Sequence, residues 1–212
     1  MKKLYTHPLS VPAHRVEVLL NILGIEFDCE IVDLLRGEQH TDTFLRLNPL
    51  GQIPVFEEEG VLLRDSIAIM IYLCRRYDPK HRWLPDDPIR LARVHQWLSL
   101  AVHDMTQGPL ALRAIEIFDL KEDRTKAERI TTKLLSDVFE PRLSSRNWLV
   151  DNAPTIADLA CCAPFSQLRE ARYELCQYQA TSRWIRRVEA IDKFKPMVAA
   201  NSLLRTAHVS RV

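Results

Sequence analysis

No charge of one sign dominates this chain: 29 Lys and Arg stand against 28 Asp and Glu, a formal net charge of +1. Without a surplus, no global field draws it toward nucleic acid or an anionic membrane. No apolar run approaches the ~20 residues that span a bilayer. The opening, MKKLYTHPLS, lacks the apolar stretch and small-residue cleavage site of a signal peptide and reads as a strand. The cysteines, Cys29, Cys74, Cys161, Cys162 and Cys176, are odd in number. They show no C-x-x-C or His/Cys spacing, so no metal site is expected, and a reduced, cytoplasmic setting fits. Internal repeats and low-complexity segments are also missing. What is present is globular: 47% apolar and 27% charged over 212 residues, enough for one large domain or two modest ones.

The first 78 residues alternate between strand and helix signals. KLYT (3–6) is a short β-type run, followed by the turn HPLSVP. AHRVEVLLNILG then sets Val16, Leu19, Leu20 and Leu23 at helical spacing, stopped by Gly24. FDCEIVD (27–33) alternates like a half-buried strand. RGEQHTDTFLRLNP gives a loop and a short helix ended by Asn48-Pro49. IPVFEEEGVLLRD is two short runs around Gly60, a hairpin, and SIAIMIYLCRRY is an apolar helix with basic residues in its last turn. The order β-α-β-α-β-β-α points to an α/β layer with a small mixed sheet.

The chain then changes character. Residues 79–88 lie in the proline-rich DPKHRWLPDDP stretch, which has no periodicity and reads as a linker. Residues 89–212 look all-helical. A long helix over IRLARVHQWLSLAVHDMTQGPLALRAIEIF is expected to kink at Gly108-Pro109. TKAERITTKLLSDVFEPRL is amphipathic, and TIADLACCAPFSQLREA is so apolar that it is the expected centre of this part, bent or shortened at Pro164. SRWIRRVEAI and KPMVAANSLL complete the bundle; the basic cluster in the former reads as a solvated helix face. Thr155 and Asp158 form Thr-x-x-Asp before the apolar run, a capping box and a folding device.

Three local features bear on chemistry. Pro54 opens a strand, where a cis or a trans X-Pro bond can stand; a cis bond would turn the preceding main-chain groups outward, free to pair with an extended peptide. Asp65-Ser66 begins a helix. Ser66 with the helix dipole suits a carboxylate, Asp65 an ammonium, and the pair together suits an α-amino acid end; ordinary capping is the alternative. Ser10 lies between the first strand and first helix, where its hydroxyl either caps the helix or donates to an anion.

Taken in order, LYTHPLS with a helix after it, NPLGQIPV, LLRDSIAIMIYL, WLPDDP, PTIADLACCAPF and SRWIRRV resemble the glutathione S-transferase family, in its serine-type bacterial, theta-like and phi-like members. The resemblance covers essentially the whole chain. It implies a thioredoxin-like, glutathione-binding domain over 1–78, an all-helical substrate-binding domain over 89–212, and a homodimer. It also implies transfer of glutathione, as co-substrate, to small hydrophobic electrophiles, with no permanently bound cofactor and no metal. A glutathione-dependent peroxidase or reductase, or a non-catalytic glutathione-binding protein, are the alternatives. In this likeness Ser10 faces the thiol, where cysteine-type members carry Cys. Pro54 is the cis proline, and Ile53 pairs its main chain with the cysteinyl unit. Asp65 and Ser66 hold the γ-glutamyl end, with Gln52 in support. Gln39 and His40 are the two candidates for the glycyl carboxylate. Leu9, His103, Asp104, Thr106 and Gln107 are candidates for the electrophile pocket.

Overall fold

The computed structural model describes residues 1–200 and groups the chain into two compact units. The first holds Met1–His81 together with Asp192–Met197; the second holds Arg82–Ile191 and, among the described residues, Val198 to Ala200.

In the first unit, strand β1 (Lys2–Thr6) leads through a turn into helix α1 (Val11–Leu23). Ser10 is the N-cap and Pro12 sits in the first turn, where a missing N–H does no harm. Gly24 closes α1 at φ 69°, a left-handed conformation that glycine adopts without penalty. Strand β2 (Asp28–Ile31), helix α2 (Asp42–Leu47), strands β3 (Val55–Glu58) and β4 (Val61–Arg64) and helix α3 (Ser66–Tyr77) follow. The hairpin turns on Glu59 and Gly60, both at positive φ, as a two-residue turn between twisted strands requires.

The sheet order is β2-β1-β3-β4, with β1 and β2 parallel and the other pairs antiparallel. α1 and α3 pack together, and Leu4, Val16, Leu20, Phe56, Ile69 and Leu73 are among the buried core side chains. A second cluster of Val32, Phe44 and Val55, with Tyr5, Leu34, Leu47 and Ile53 against it, seats α2.

Strand β2 departs from its sequence reading. All four of its residues are exposed rather than alternating, because it pairs only with β1 and ends the sheet; the buried residue of that stretch is Val32, one position beyond it.

The second unit is helical: α4 (Pro88–Val102), α5 (Ala111–Phe118), α6 (Arg124–Lys133), α7 (Glu140–Ser145), α8 (Ile156–Ser166) and α9 (Gln179–Glu189). Every residue of α8 from Ile156 to Phe165 is buried, so the expected centre is the centre. Pro164 lies inside α8, which ends two residues later, as its missing N–H and ring clash dictate. Around it Phe139 meets Trp97, Phe165 and Trp184 at ring distances of 5.0, 4.7 and 5.8 Å, mostly edge to face.

The capping box at Thr155 and Asp158 is formed. Asp158 also accepts from the Leu149 N–H and the Trp184 indole, so one buried carboxylate ties α8 to the preceding loop and to α9. Glu140 plays the same part for α9, accepting from the Ala180 and Thr181 N–H groups and the Thr181 hydroxyl.

Two other expectations are corrected. The long helix is interrupted at His103 (ψ −81°), five residues before Gly108-Pro109, and Thr106–Leu110 is a π-helical turn that accommodates Pro109. The stretch beginning KPMV is divided: its first three residues, within Asp192–Met197, group with the first unit, and Val198 to Ala200 group with the helical second. The His14 Nε2–H donates to the Lys195 carbonyl at 2.8 Å, and Phe194 meets the His14 ring edge to face, holding that segment on α1. The remainder of that stretch, from residue 201, lies outside the described residues.

Candidate active site

Strand register gathers the candidate residues of the first unit. Tyr5 pairs with Val55, and Val55 pairs with Arg64. The end of β1, the start of β3 and the end of β4 therefore lie side by side. The end of β2 joins them, since Thr6 pairs with Ile31 in parallel. The turn carrying Leu9 and Ser10, the Gln52-Ile53-Pro54 approach, the Asp65-Ser66 corner and the segment leading to Gln39 and His40 all issue from this one end. Four strands at ~4.8 Å spacing make this end about 14 Å wide, the reach of a short extended peptide.

Ser10 is 9% exposed. Its oxygen accepts from the Ala13 N–H at 3.2 Å, and its own N–H donates to the His7 carbonyl at 2.8 Å. A hydroxyl that accepts in this way keeps its proton for a further acceptor. His7 Nδ1 in turn accepts from the Leu9 N–H at 3.1 Å, so the imidazole shapes the turn that presents Ser10. Burial holds His7 below the usual imidazole range, against the opposing pull of Asp33. Leu9 itself is buried.

The Ile53–Pro54 peptide bond is cis. Neither the N–H nor the C=O of Ile53 finds a partner among the described residues. The loop before it is fixed by Asn48, which is buried. Its Nδ2 donates to the Gln52 carbonyl at 2.6 Å and its Oδ1 accepts from the Leu50 N–H at 3.1 Å. Sequence reading treats Asn48 only as a helix stop; the signal it carries is an amide able to mimic a backbone turn two residues on. Gly51, at φ 62°, is a second such residue. A Cβ there would stand 2.9 Å from His40 Nδ1, so glycine lets the ring lie directly against the loop. Gln39 and His40 are thus both brought to the loop, His40 with an exposed side chain and Gln39 half-buried, its Oε1 without a hydrogen-bond partner. Gln52 is exposed.

Asp65 is exposed and caps α3, Oδ1 accepting from the Ile67 and Ala68 N–H groups at 2.9 Å each. It does so at φ 73°, ψ 124°, a region that residues other than glycine occupy at a cost of about 1–3 kcal/mol. Strain of this kind persists where surrounding structure holds it, often at ligand clamps. Ser66, the first helical residue, is buried at the N-terminus of α3.

The candidates in the second unit sit on the break after α4. His103, Asp104, Thr106 and Gln107 are all exposed. His103 Nδ1 lies 3.5 Å from the Asp104 carboxylate, Gln107 donates to His103 Nε2 at 3.4 Å, and the Thr106 hydroxyl donates to the Val102 carbonyl at 3.0 Å. Because the helix breaks at His103, their side chains do not follow one helical repeat. Among the described residues no group of His, Cys, Asp and Glu side chains could hold a metal ion, and no helix is long and apolar enough to cross a membrane.

Comparison with known proteins places this geometry. The family model for the N-terminal domain of glutathione S-transferase matches residues 2–75, and that for its C-terminal domain matches residues 100–192. Human glutathione S-transferase theta-2 is 30% identical over 200 residues, covering 89% of this chain and 80% of that protein. Glutathione S-transferase D7 of Anopheles gambiae is 28% identical over 190 residues, covering 87% and 84%. A glutathione S-transferase crystal structure from Pseudomonas fluorescens Pf-5 superposes with a TM-score of 0.86 at 30% identity, over 93% of this chain and 99% of that one. Sheet order, helical second unit, sequence and structural likeness agree: the chain belongs to the glutathione S-transferase family.

Proposed function

We propose that this glutathione transferase activates the glutathione thiol with Ser10 and delivers the thiolate to a small hydrophobic electrophile. The observation that carries the reading is the convergence, at one end of the sheet, of a hydroxyl at a helix N-terminus, an unpaired main-chain segment at Ile53 and a strained acid beside a buried serine. In this reading the tripeptide lies across the strand ends. The cysteinyl main chain pairs with Ile53, the γ-glutamyl ammonium meets Asp65, and its carboxylate meets Ser66 with Gln52 beside it. His40, exposed and seated on Gly51, takes the glycyl carboxylate, and Gln39 supports the same loop.

The energetics suffice. A free thiol has a pKa near ~8.5, and only the thiolate attacks well. Lowering that value by about two units takes roughly 2.7 kcal/mol of preferential binding to the anion. One hydrogen bond to a charged group supplies about 1.5–3 kcal/mol, and the end of α1 adds about 0.3–1.

The electrophile is assigned to the second unit, with His103, Asp104, Thr106 and Gln107 as its polar contacts; Leu9, buried in the first unit, supports the turn that presents Ser10. A homodimer and a cytoplasmic setting complete the proposal, the latter supported by five free thiols. Calorimetric titration with glutathione, followed by turnover of an aryl halide and of a hydroperoxide, tests it. Saturable binding with aryl-halide turnover is expected. Binding with neither turnover, or turnover of the hydroperoxide alone, overturns the transferase assignment, and sedimentation velocity checks the dimer.

A further inference from the structure

The second unit contains a cavity of about 540 Å³ that the transferase chemistry does not use. One wall is the end of α7 and the residues after it; another is the face of α9 that carries Ala180, Arg183 and Arg187. Its charged lining is Arg146, Arg183 and Arg187, joined by the amides of Asn147 and Asn152, with no carboxylate among the lining residues. None of the residues proposed to bind glutathione lines it.

The three guanidinium groups differ in readiness. Arg187 is preset: its Nη1 donates to the Asn147 carbonyl at 2.9 Å, and its guanidinium lies 5.7 Å from the centre of the Trp148 ring. Arg183 stands one helical turn before it on the same face of α9. Arg146 and Arg183 form no ion pair among the described residues. The carboxylate that Arg183 does feel is Glu140, and its oxygens already accept three hydrogen bonds from Ala180 and Thr181. The excess positive charge is felt nearby as well: burial, then Arg146 and Arg93, hold Arg142 below the usual guanidinium range. Like charges held together, with the nearby carboxylate already occupied by other donors, oppose the fold, and a ligand that neutralises them stabilises it.

We propose that this cavity binds a small anion with two oxyanion groups, a diphosphate or a dicarboxylate, gripped by Arg187 as the fixed donor and by Arg146 and Arg183. Planar guanidinium forks match either group with paired N–H···O bonds.

The test titrates the full-length protein, at constant ionic strength in chloride, with pyrophosphate in one arm and malonate in the other, by calorimetry and by thermal unfolding. Saturable binding in at least one arm, with a raised Tm, is expected, and the arm that binds identifies the oxyanion. Arg146→Gln and Arg183→Gln should each weaken binding about tenfold or more. Arg186→Gln, on the same helix but outside the lining, and Ser10→Ala should leave it unchanged, and saturating glutathione should not compete. Circular dichroism and the ligand-free Tm of each variant establish that it is folded; for the two lining arginines a Tm equal to or above wild type is expected, since a repulsion is removed. No saturable binding in either arm overturns the proposal. So does binding that survives the Arg146→Gln/Arg183→Gln double variant, or that glutathione displaces.

Discussion

Ser10 serves two purposes with one hydroxyl: its oxygen caps α1 and, in the proposed mechanism, its proton faces sulfur. Ser10→Ala removes both. The thiol pKa of bound glutathione should rise by about one to two units, read from thiolate ultraviolet absorbance, and turnover at neutral pH should fall about tenfold or more. Loss of the cap should also remove about 1 kcal/mol of stability. Ser10→Thr keeps an oxygen for the cap and a proton for the sulfur, and it should recover part of both effects. An unchanged thiol pKa in Ser10→Ala would remove Ser10 from the mechanism. Asp65 separates its two roles differently. Asn caps as well as Asp, so Asp65→Asn should leave the unfolding midpoint nearly unchanged while glutathione affinity drops tenfold or more by calorimetry. Equal affinity would rule out the ammonium clamp.

Histidine 7 adds a pH dependence at the same scale. Its folded pKa lies below the ordinary value near ~6.5, so folding favours the neutral ring. As pH falls below ~6.5 the unfolded chain takes up the proton first, and stability is lost until the folded pKa is passed. Protonation also removes the acceptor for the Leu9 N–H. In His7→Asn, whose side-chain oxygen can accept two residues on, the decline in Tm between pH 7 and 5 should be shallower.

At the scale of elements, a few buried carboxylates do the joining. Asp158→Ala would leave the Leu149 and Thr155 N–H groups and the Trp184 indole without their acceptor. A loss on the order of 3 kcal/mol or more is expected in urea unfolding, since each stranded donor costs about 1–3 kcal/mol. The Thr-x-x-Asp signal announced the cap but not the reach to Trp184, because that contact spans 26 residues and exists only once α9 packs. The same division between local and long-range information runs through the whole reading. Element types follow from periodicity and punctuation: Gly24, Glu59-Gly60 and Asn48-Pro49 end elements by local backbone preference. The exposure of β2 could not be read that way, since it depends on β2 having a neighbour on one side only. The helix breaks at His103 and not at Gly108-Pro109, the stronger local signal, because a π-helical turn absorbs that proline. Of the candidate site, Ser10, Pro54 and Asp65-Ser66 are visible as residues. Asn48 and Gly51 are not, since their importance lies in what they press against.

For the molecule as a whole, balanced charge places the burden of acid stability on particular carboxylates rather than on net repulsion. Glu58 and Glu140 are both buried enough for desolvation to raise them, yet both end below the ordinary carboxylate range. The Tyr77 and Tyr72 hydroxyls and Lys2 outweigh burial at Glu58, and the Ala180 and Thr181 donors do so at Glu140. A depressed folded pKa contributes stability that is present above the unfolded value near ~4.5 and is lost as pH falls through the folded value. An acid transition beginning below about pH 4.5 is therefore expected, and Glu140→Gln should weaken it, measured as Tm against pH.

The left-handed backbone at Asp65 sets the enzyme's own ceiling. Glycine would accept that φ freely and gives up only a few tenths of a kcal/mol as a cap, so Asp65→Gly should melt higher than the natural chain while losing the proposed ammonium clamp. A search for thermostable variants that monitored melting alone would favour that substitution and select against the catalyst.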